Sequence, residues 1–138
     1  MSKSLDPKSS SQKSSGAEPS SKGANELWTE IRPWGRFKNL LDSDYTKVKL
    51  IEVDTGKRLS YQSHAKRRES WTIVRGEARV ILNDHENRLT VGEHIDIPLG
   101  AKHRIENAGT EIMAFIEVQT GRSFAEDDIV RYQDDFGR

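Results

Sequence analysis

Residues 56–76 read GKRLSYQSHAKRRESWTIVRG, and this stretch decides how the rest of the chain is interpreted. Its alternating side chains predict one strand over residues 58–64 and a second strand over residues 69–75. Short strands of this kind recur about every 8–12 residues along the chain, separated by turns that contain Gly, Pro or Asn. This pattern predicts an all-β protein, either a sandwich or a barrel.

Composition limits the classes of partner. The chain has 138 residues, 22 basic and 22 acidic side chains and no cysteine. One domain is the default for this length, and the balanced charge gives no sign of a nucleic acid as partner. No apolar run approaches the roughly 20 residues of a transmembrane helix, so no membrane partner is expected. The absence of cysteine excludes disulfides and thiolate ligands and agrees with the cytoplasmic location that we expect.

Residues 1–24 differ from the rest of the chain, because they are rich in Ser, Lys, Gly and Pro and almost lack large apolar side chains. Such a segment cannot bury enough surface to offset the entropy lost on ordering, so it is predicted to be a disordered tail. It has neither the apolar core of a secretory signal nor the arginines of a mitochondrial transit peptide. The folded domain is therefore predicted over residues 25–138.

The strand pattern groups side chains that can bind a metal. Gln62 and His64 share one face of the first strand, and Glu69 shares a face with Trp71 on the second. His103, on a later strand, also falls on an apolar face. If these faces line the interior, the buried ionisable groups need partners. Two imidazoles, a carboxylate and an amide suit one divalent ion of Zn, Mn, Fe, Co or Ni, but hydrogen-bonded or exposed side chains remain the alternative.

Two blocks of the sequence resemble the cupin superfamily. Its first pattern is Gly, five residues, His-x-His, three or four residues, Glu, six residues, Gly; residues 56–76 match it, with Gln62 in the place of the first His. Its second pattern is Gly, five residues, Pro-x-Gly, two residues, His, three residues, Asn, and residues 92–107 match it throughout. The resemblance implies a double-stranded β-helix, or jelly-roll barrel, whose metal ligands are the four residues discussed above. We expect a short N-terminal arm and a C-terminal helical extension, because Ser123 followed by Glu126 is typical of a helix start.

The Gln-x-His variant narrows the resemblance to the type II phosphomannose isomerase cupins. These cupins also form the C-terminal domain of bifunctional mannose-1-phosphate guanylyltransferase/mannose-6-phosphate isomerase proteins. The resemblance covers roughly residues 31–138. Among the matching pieces are RPWG at 32–35, VK at 48–49, IEVQ at 116–119 and EDDIVR at 126–131.

The resemblance implies an activity and roles for further residues. The expected reaction interconverts mannose 6-phosphate and fructose 6-phosphate through an enediol, so the expected partner is a small-molecule sugar phosphate. A general base is needed, and Glu117 and Lys49 are the candidates, although strand parity does not place Glu117 on either face. Arg67, Arg104 and Arg131 are the candidates for binding the phosphate, because a guanidinium binds phosphate bidentately.

Three positions depart from the subfamily pattern. Family members often carry histidines where this chain has Ala65, Lys66 and Ser70. This departure favours the alternative of a non-catalytic metal- or sugar-binding cupin, whereas a third alternative, another cupin enzyme such as a metal-dependent dioxygenase, is disfavoured by the subfamily resemblance. No Gly-rich nucleotide-binding segment precedes the cupin blocks, so no GTP-using activity is expected of this chain alone. The resemblance also implies a possible homodimer.

Overall fold

The computed structural model describes residues 28–137, and this part of the chain contains strands and no helix. The predicted tail of residues 1–24 lies outside the described residues, so the boundary of the folded domain stays a prediction. Within the described part, no helix has the length and apolar character needed to cross a bilayer.

Two antiparallel sheets form the barrel. The strands of the described part are β1 (Glu30–Arg32), β2 (Gly35–Asp42), β3 (Thr46–Val53), β4 (Tyr61–Ser63), β5 (Arg67–Arg75), β6 (Ala78–Leu82), β7 (His85–Leu89), β8 (His94–Ile97), β9 (His103–Asn107), β10 (Met113–Gly121) and β11 (Val130–Gln133). One sheet has the order β1-β2-β3-β10-β5-β8, and the other has the order β11-β4-β9-β6-β7. The predicted all-β jelly roll is confirmed, because strands distant in the sequence are neighbours in both sheets.

Alternate residues of the strands build the core. On β5 Trp71 and Ile73 are buried, as the alternation predicts, and the ring of Trp71 packs 5.2 Å from that of Phe115 on β10. Val80 and Ile105 contribute fully buried side chains from the second sheet to the same cluster. Burying each of these side chains contributes about 1.5–3 kcal/mol. This core supports the polar residues that lie on the same inner faces.

The predicted C-terminal helical extension is wrong. Residues 122–129 form no helix, and Val130–Gln133 form β11, which pairs with β4. The hydroxyl of Ser123 accepts the backbone N–H of Ala125 only two residues on, as in a turn. Pairing with β4 satisfies backbone groups that a helix would otherwise have satisfied internally.

The strand predicted over residues 58–64 is shorter than expected and comprises only β4 (Tyr61–Ser63). Before β4, Arg58 forms an isolated bridge with Glu106. After β4, the carbonyl of His64 accepts the backbone N–H of Gly100 at 2.8 Å. This hydrogen bond holds the loop between β8 and β9 against the end of β4, which brings two parts of the candidate site together.

Candidate metal centre

Three potential metal ligands meet inside the barrel. His64 follows β4, Glu69 lies on β5 and His103 begins β9, and each is at most 4% exposed. His64 Nε2 lies 3.4 Å from Glu69 Oε2, and His103 Nε2 lies 3.9 Å from Glu69 Oε1. Ligand atoms that bind one ion at about 2.0–2.2 Å stand roughly 3–4 Å apart. The three side chains therefore form a possible metal site.

Backbone carbonyls hold both imidazoles in one tautomer. Nδ1 of His64 lies 2.6 Å from the carbonyl of Asp128, and Nδ1 of His103 lies 2.9 Å from that of Ala101. A carbonyl only accepts hydrogen bonds, so each Nδ1 carries the proton and each Nε2 keeps its lone pair beside Glu69. Burial lowers the pKa of both rings, that of His64 to about 4 with help from the charge of Arg67. Both imidazoles are neutral near pH 7, which is the form that binds a metal.

The carboxylate of Glu69 is oriented by two donors. Its Oε2 accepts Nε–H of Arg67 at 2.9 Å, and its Oε1 accepts Nε1–H of Trp71 at 3.0 Å. Nη2 of Arg67 also donates to Nε2 of His64 at 3.2 Å. Nη1 of Arg67 is buried and has no hydrogen-bond partner within residues 28–137. Arg67 is therefore a cation beside the ligand cluster with donor capacity to spare.

Gln62, the fourth predicted ligand, lines the same pocket as the three-residue cluster. It pairs with His103 across β4 and β9, its side chain is half-buried, and its Nε2 lies 3.4 Å from the carbonyl of Ser60. The structure thus brings Gln62 close to the cluster, and its role as a ligand stays a prediction.

The structure places Glu117 and Lys49, the two candidates for the general base, side by side. They are paired across β10 and β3, and both are buried on the inner face. Glu117 accepts Nε2–H of Gln119 at 2.7 Å and Nε1–H of Trp71 at 3.2 Å. Burial raises the pKa of Glu117 to about 7, and the nearby charge of Glu69 adds to the shift. The assignment of either residue as a base stays a prediction.

The three arginines predicted to bind phosphate differ in their surroundings. All three line the pocket. Arg104 uses its Nε to donate to the carbonyl of Leu59 at 2.9 Å and both terminal nitrogens to donate to Gln133, so its donors anchor β11. Arg131 lies on β11 and is exposed. Arg67 is buried beside the ligand cluster, and the phosphate role of all three stays a prediction.

Two acidic residues of the site were missed by sequence reasoning. Besides holding an imidazole through its carbonyl, Asp128 accepts the backbone N–H groups of Ala65 and Lys66 with its carboxylate, at 3.2 and 2.9 Å. Glu126 places Oε2 3.3 Å from Nζ of Lys49. The only signal was their position in the matching C-terminal stretch, which does not indicate the partner of either carboxylate.

The fold and the cluster define a cupin with a possible metal site. The cupin domain of Cnp3 from Schizosaccharomyces pombe superposes with a TM-score of 0.63 at 17% identity, covering 67% of this chain and 69% of that chain. This likeness concerns the fold alone. The family described as mannose-6-phosphate isomerase C-terminal matches residues 21–134, and the chain belongs to this family.

Similar proteins include one named as an enzyme and one named for a biosynthetic role. Mannose-1-phosphate guanylyltransferase ManC of Salmonella typhimurium is 43% identical over 107 residues, which are 78% of this chain and 22% of that protein. Xanthan biosynthesis protein XanB of Xanthomonas campestris is 42% identical over 107 residues, covering 78% of this chain and 23% of that protein. The chain thus spans about a fifth of the length of these curated relatives.

These names correct the activity expected from the sequence. The prediction that the chain interconverts mannose 6-phosphate and fructose 6-phosphate is wrong, because relatives from Salmonella typhimurium and Escherichia coli are named as mannose-1-phosphate guanylyltransferases, which are nucleotidyltransferases. The description of the family names an isomerase, but the description of a domain does not assign the reaction of this chain. Membership in an enzyme family and a possible metal site remain.

Proposed function

We propose that the cupin barrel binds a divalent cation together with mannose 1-phosphate, and thereby contributes to a guanylyl transfer of the kind for which its relatives are named. The observation that carries this proposal is the ligand cluster of His64, Glu69 and His103 in a pocket whose basic side chains outnumber its acidic ones. The basic side chains are Arg32, Lys49, Arg67, Arg104 and Arg131, and the acidic ones are Glu69, Glu117 and Glu126. Such a pocket attracts an anionic ligand.

The donor set supports a divalent cation in this pocket. Two neutral imidazoles present Nε2, and one carboxylate lies between them. These nitrogen and oxygen donors are ligand types that a divalent ion such as Zn, Mn, Fe, Co or Ni binds. When bound, such a cation supplies positive charge to an oxygen of the sugar or of the phosphate. Gln62 is our candidate for a further ligand.

The donors of Arg67 support the proposal that a phosphate binds beside the cation. A neutral ring nitrogen has one lone pair, so a cation on Nε2 of His64 takes the place of the hydrogen bond from Nη2 of Arg67. Nη1 of Arg67 already has no partner among the described residues. The guanidinium then offers two terminal nitrogens, which is the arrangement that binds phosphate bidentately.

Calorimetric titration of the purified chain tests this function. We expect Mn²⁺ to bind the wild type, and mannose 1-phosphate to bind the Mn²⁺-loaded protein more tightly than mannose does. His103→Ala should weaken Mn²⁺ binding by on the order of 100-fold or more, because it removes a ligand of the cluster. His85→Ala is the matched control, since His85 is exposed on β7.

A wild type that binds no mannose 1-phosphate in the presence of Mn²⁺ would contradict the proposal, and so would a His103→Ala variant with unchanged Mn²⁺ affinity. The homodimer and the cytoplasmic location expected from the sequence stay predictions. Analytical ultracentrifugation of the purified chain would measure its oligomeric state. Fractionation of cells that produce the chain would measure its location.

A further inference from the structure

The pocket contains a buried ammonium group whose anionic partner is exposed. Lys49 has a side chain only 7% exposed, and its Nζ lies 4.3 Å from the centre of the ring of Phe37. The carboxylate of Glu126 lies 3.3 Å from this Nζ and forms the ion pair that Lys49 makes within residues 28–137. The buried carboxyl group of Glu117 is a second acidic neighbour, paired with Lys49 across β10 and β3. A buried ammonium that loses its anion is costly, so this position needs a negative group.

Glu126 belongs to the segment between β10 and β11, and its side chain is 63% exposed. Although burial acts to raise it, the pKa of Glu126 is lowered, because the charges of Lys49 and Arg67 favour the carboxylate. Lys49, Arg67 and Glu126 line the same pocket, and of the two cations Lys49 is the one in an ion pair with Glu126. The exposed side chain of Glu126 loses little when it turns into water. The ammonium of Lys49 cannot follow it, so another anion has to take the vacated place.

We propose that Lys49 and Arg67 form an anion subsite of the pocket, and that Glu126 is its exchangeable internal occupant, which the phosphate of the ligand replaces. This inference rests on the proposed function for the identity of the ligand. A phosphate carries more charge than a carboxylate and presents more acceptor oxygens, so it displaces Glu126 from the two cations. An anion that enters the subsite must therefore bind the two cations more favourably than the carboxylate of Glu126 does.

Sulfate binding to the metal-free protein tests the subsite without the sugar or the cation. The dissociation constant is measured by NMR chemical-shift titration of ¹⁵N-labelled protein at constant ionic strength. We expect Glu126→Gln to bind sulfate about two- to tenfold more tightly than the wild type, because the competing carboxylate is gone. Glu111→Gln is the matched control, since Glu111 pairs with the exposed Arg75 and should leave sulfate binding unchanged.

The double variant Lys49→Gln, Glu126→Gln should lose the gain in sulfate affinity. Equal or weaker sulfate binding by Glu126→Gln would overturn the inference and would indicate that Glu126 only anchors the C-terminal segment. A tighter sulfate complex together with no binding of mannose 1-phosphate to the Mn²⁺-loaded wild type would leave the subsite standing and reject the proposed function. The two failures are therefore distinguishable.

Discussion

The two buried imidazoles of the site are kept neutral by their surroundings. Burial lowers the pKa of His64 from about 6.5 to about 4, and the charge of Arg67 acts in the same direction. Above pH 6.5 the ring is neutral in both the folded and the unfolded chain. Between pH 6.5 and 4, His64 binds a proton in the unfolded chain but not in the folded chain, so protonation favours unfolding.

This difference predicts a pH dependence of the metal-free protein. The contribution of His64 to the free energy of unfolding should be fully present above pH 6.5 and should be lost as the pH falls towards 4. The measurement is urea unfolding at a series of pH values in the presence of a chelator. His64→Gln should flatten the slope between pH 6.5 and 4, and the exposed His85→Gln should not. An equal slope in wild type and His64→Gln would contradict the assignment.

At the scale of an element, the segment between β10 and β11 orients one of the candidate metal ligands, His64. Asp128 holds the loop after β4 through two backbone N–H groups and holds an imidazole through its carbonyl. Residues that orient a ligand in this way typically change metal affinity by 10–100-fold. The segment is therefore part of the site although it contains none of the predicted ligands.

We expect Asp128→Ala to weaken Mn²⁺ binding about tenfold, because the loop that carries His64 loses its two hydrogen bonds to the carboxylate. Calorimetric titration measures the change. Asp127→Ala, at the exposed neighbouring position, is the control and should bind as the wild type does. Equal affinities of the two variants would show that the carbonyl contact alone orients the ring.

The end of β10 requires a glycine. Gly121 has φ +146°, and a Cβ there would stand 2.7 Å from the Cα of Arg67 and closer still to the carbonyl of Lys66. Gly121→Ala should therefore lower the free energy of unfolding by about 3 kcal/mol or more, because β5 would have to move. Gly92→Ala is the control: Gly92 has φ +91° but open space around it, so its cost should be about 1 kcal/mol. Urea unfolding compares the two, and equal losses would contradict the role of close packing.

At the scale of the whole molecule, the ligands of the site come from different parts of the barrel. A metal held by Glu69 on β5, His103 on β9 and His64 just after β4 would link both sheets and stabilise the folded chain relative to the unfolded one. Mn²⁺ at 100 times its dissociation constant should raise the free energy of unfolding by about 2.7 kcal/mol. Urea unfolding with Mn²⁺ or with a chelator measures this gain. The gain should vanish in His103→Ala and persist in His85→Ala; its persistence in both would place the ion elsewhere.

Whether a feature could be predicted from the sequence depends on whether residues near to it or distant from it in the chain decide it. The inner face of β5 was predicted correctly, because alternation along one strand is a local property that Glu69 and Trp71 obey. The placement of Glu117 was undecided, because β10 is apolar on both faces and only its packing between β3 and β5 selects the inner one. The helix predicted at Ser123 was wrong, since a short capping signal does not compete with strand pairing to β4.

By itself, the sequence determined the strands, because the alternation of side chains is local. The jelly roll and the three side chains of the possible metal site followed from the resemblance of two sequence blocks to the cupins. Only the tertiary structure decided that Arg67 lies within the ligand cluster, that Asp128 orients His64 and that Glu126 lies against Lys49. These contacts join residues far apart in the chain, except that of Arg67. The partners of Asp128 and Glu126 depend on how β11 returns to β4, which no local pattern encodes.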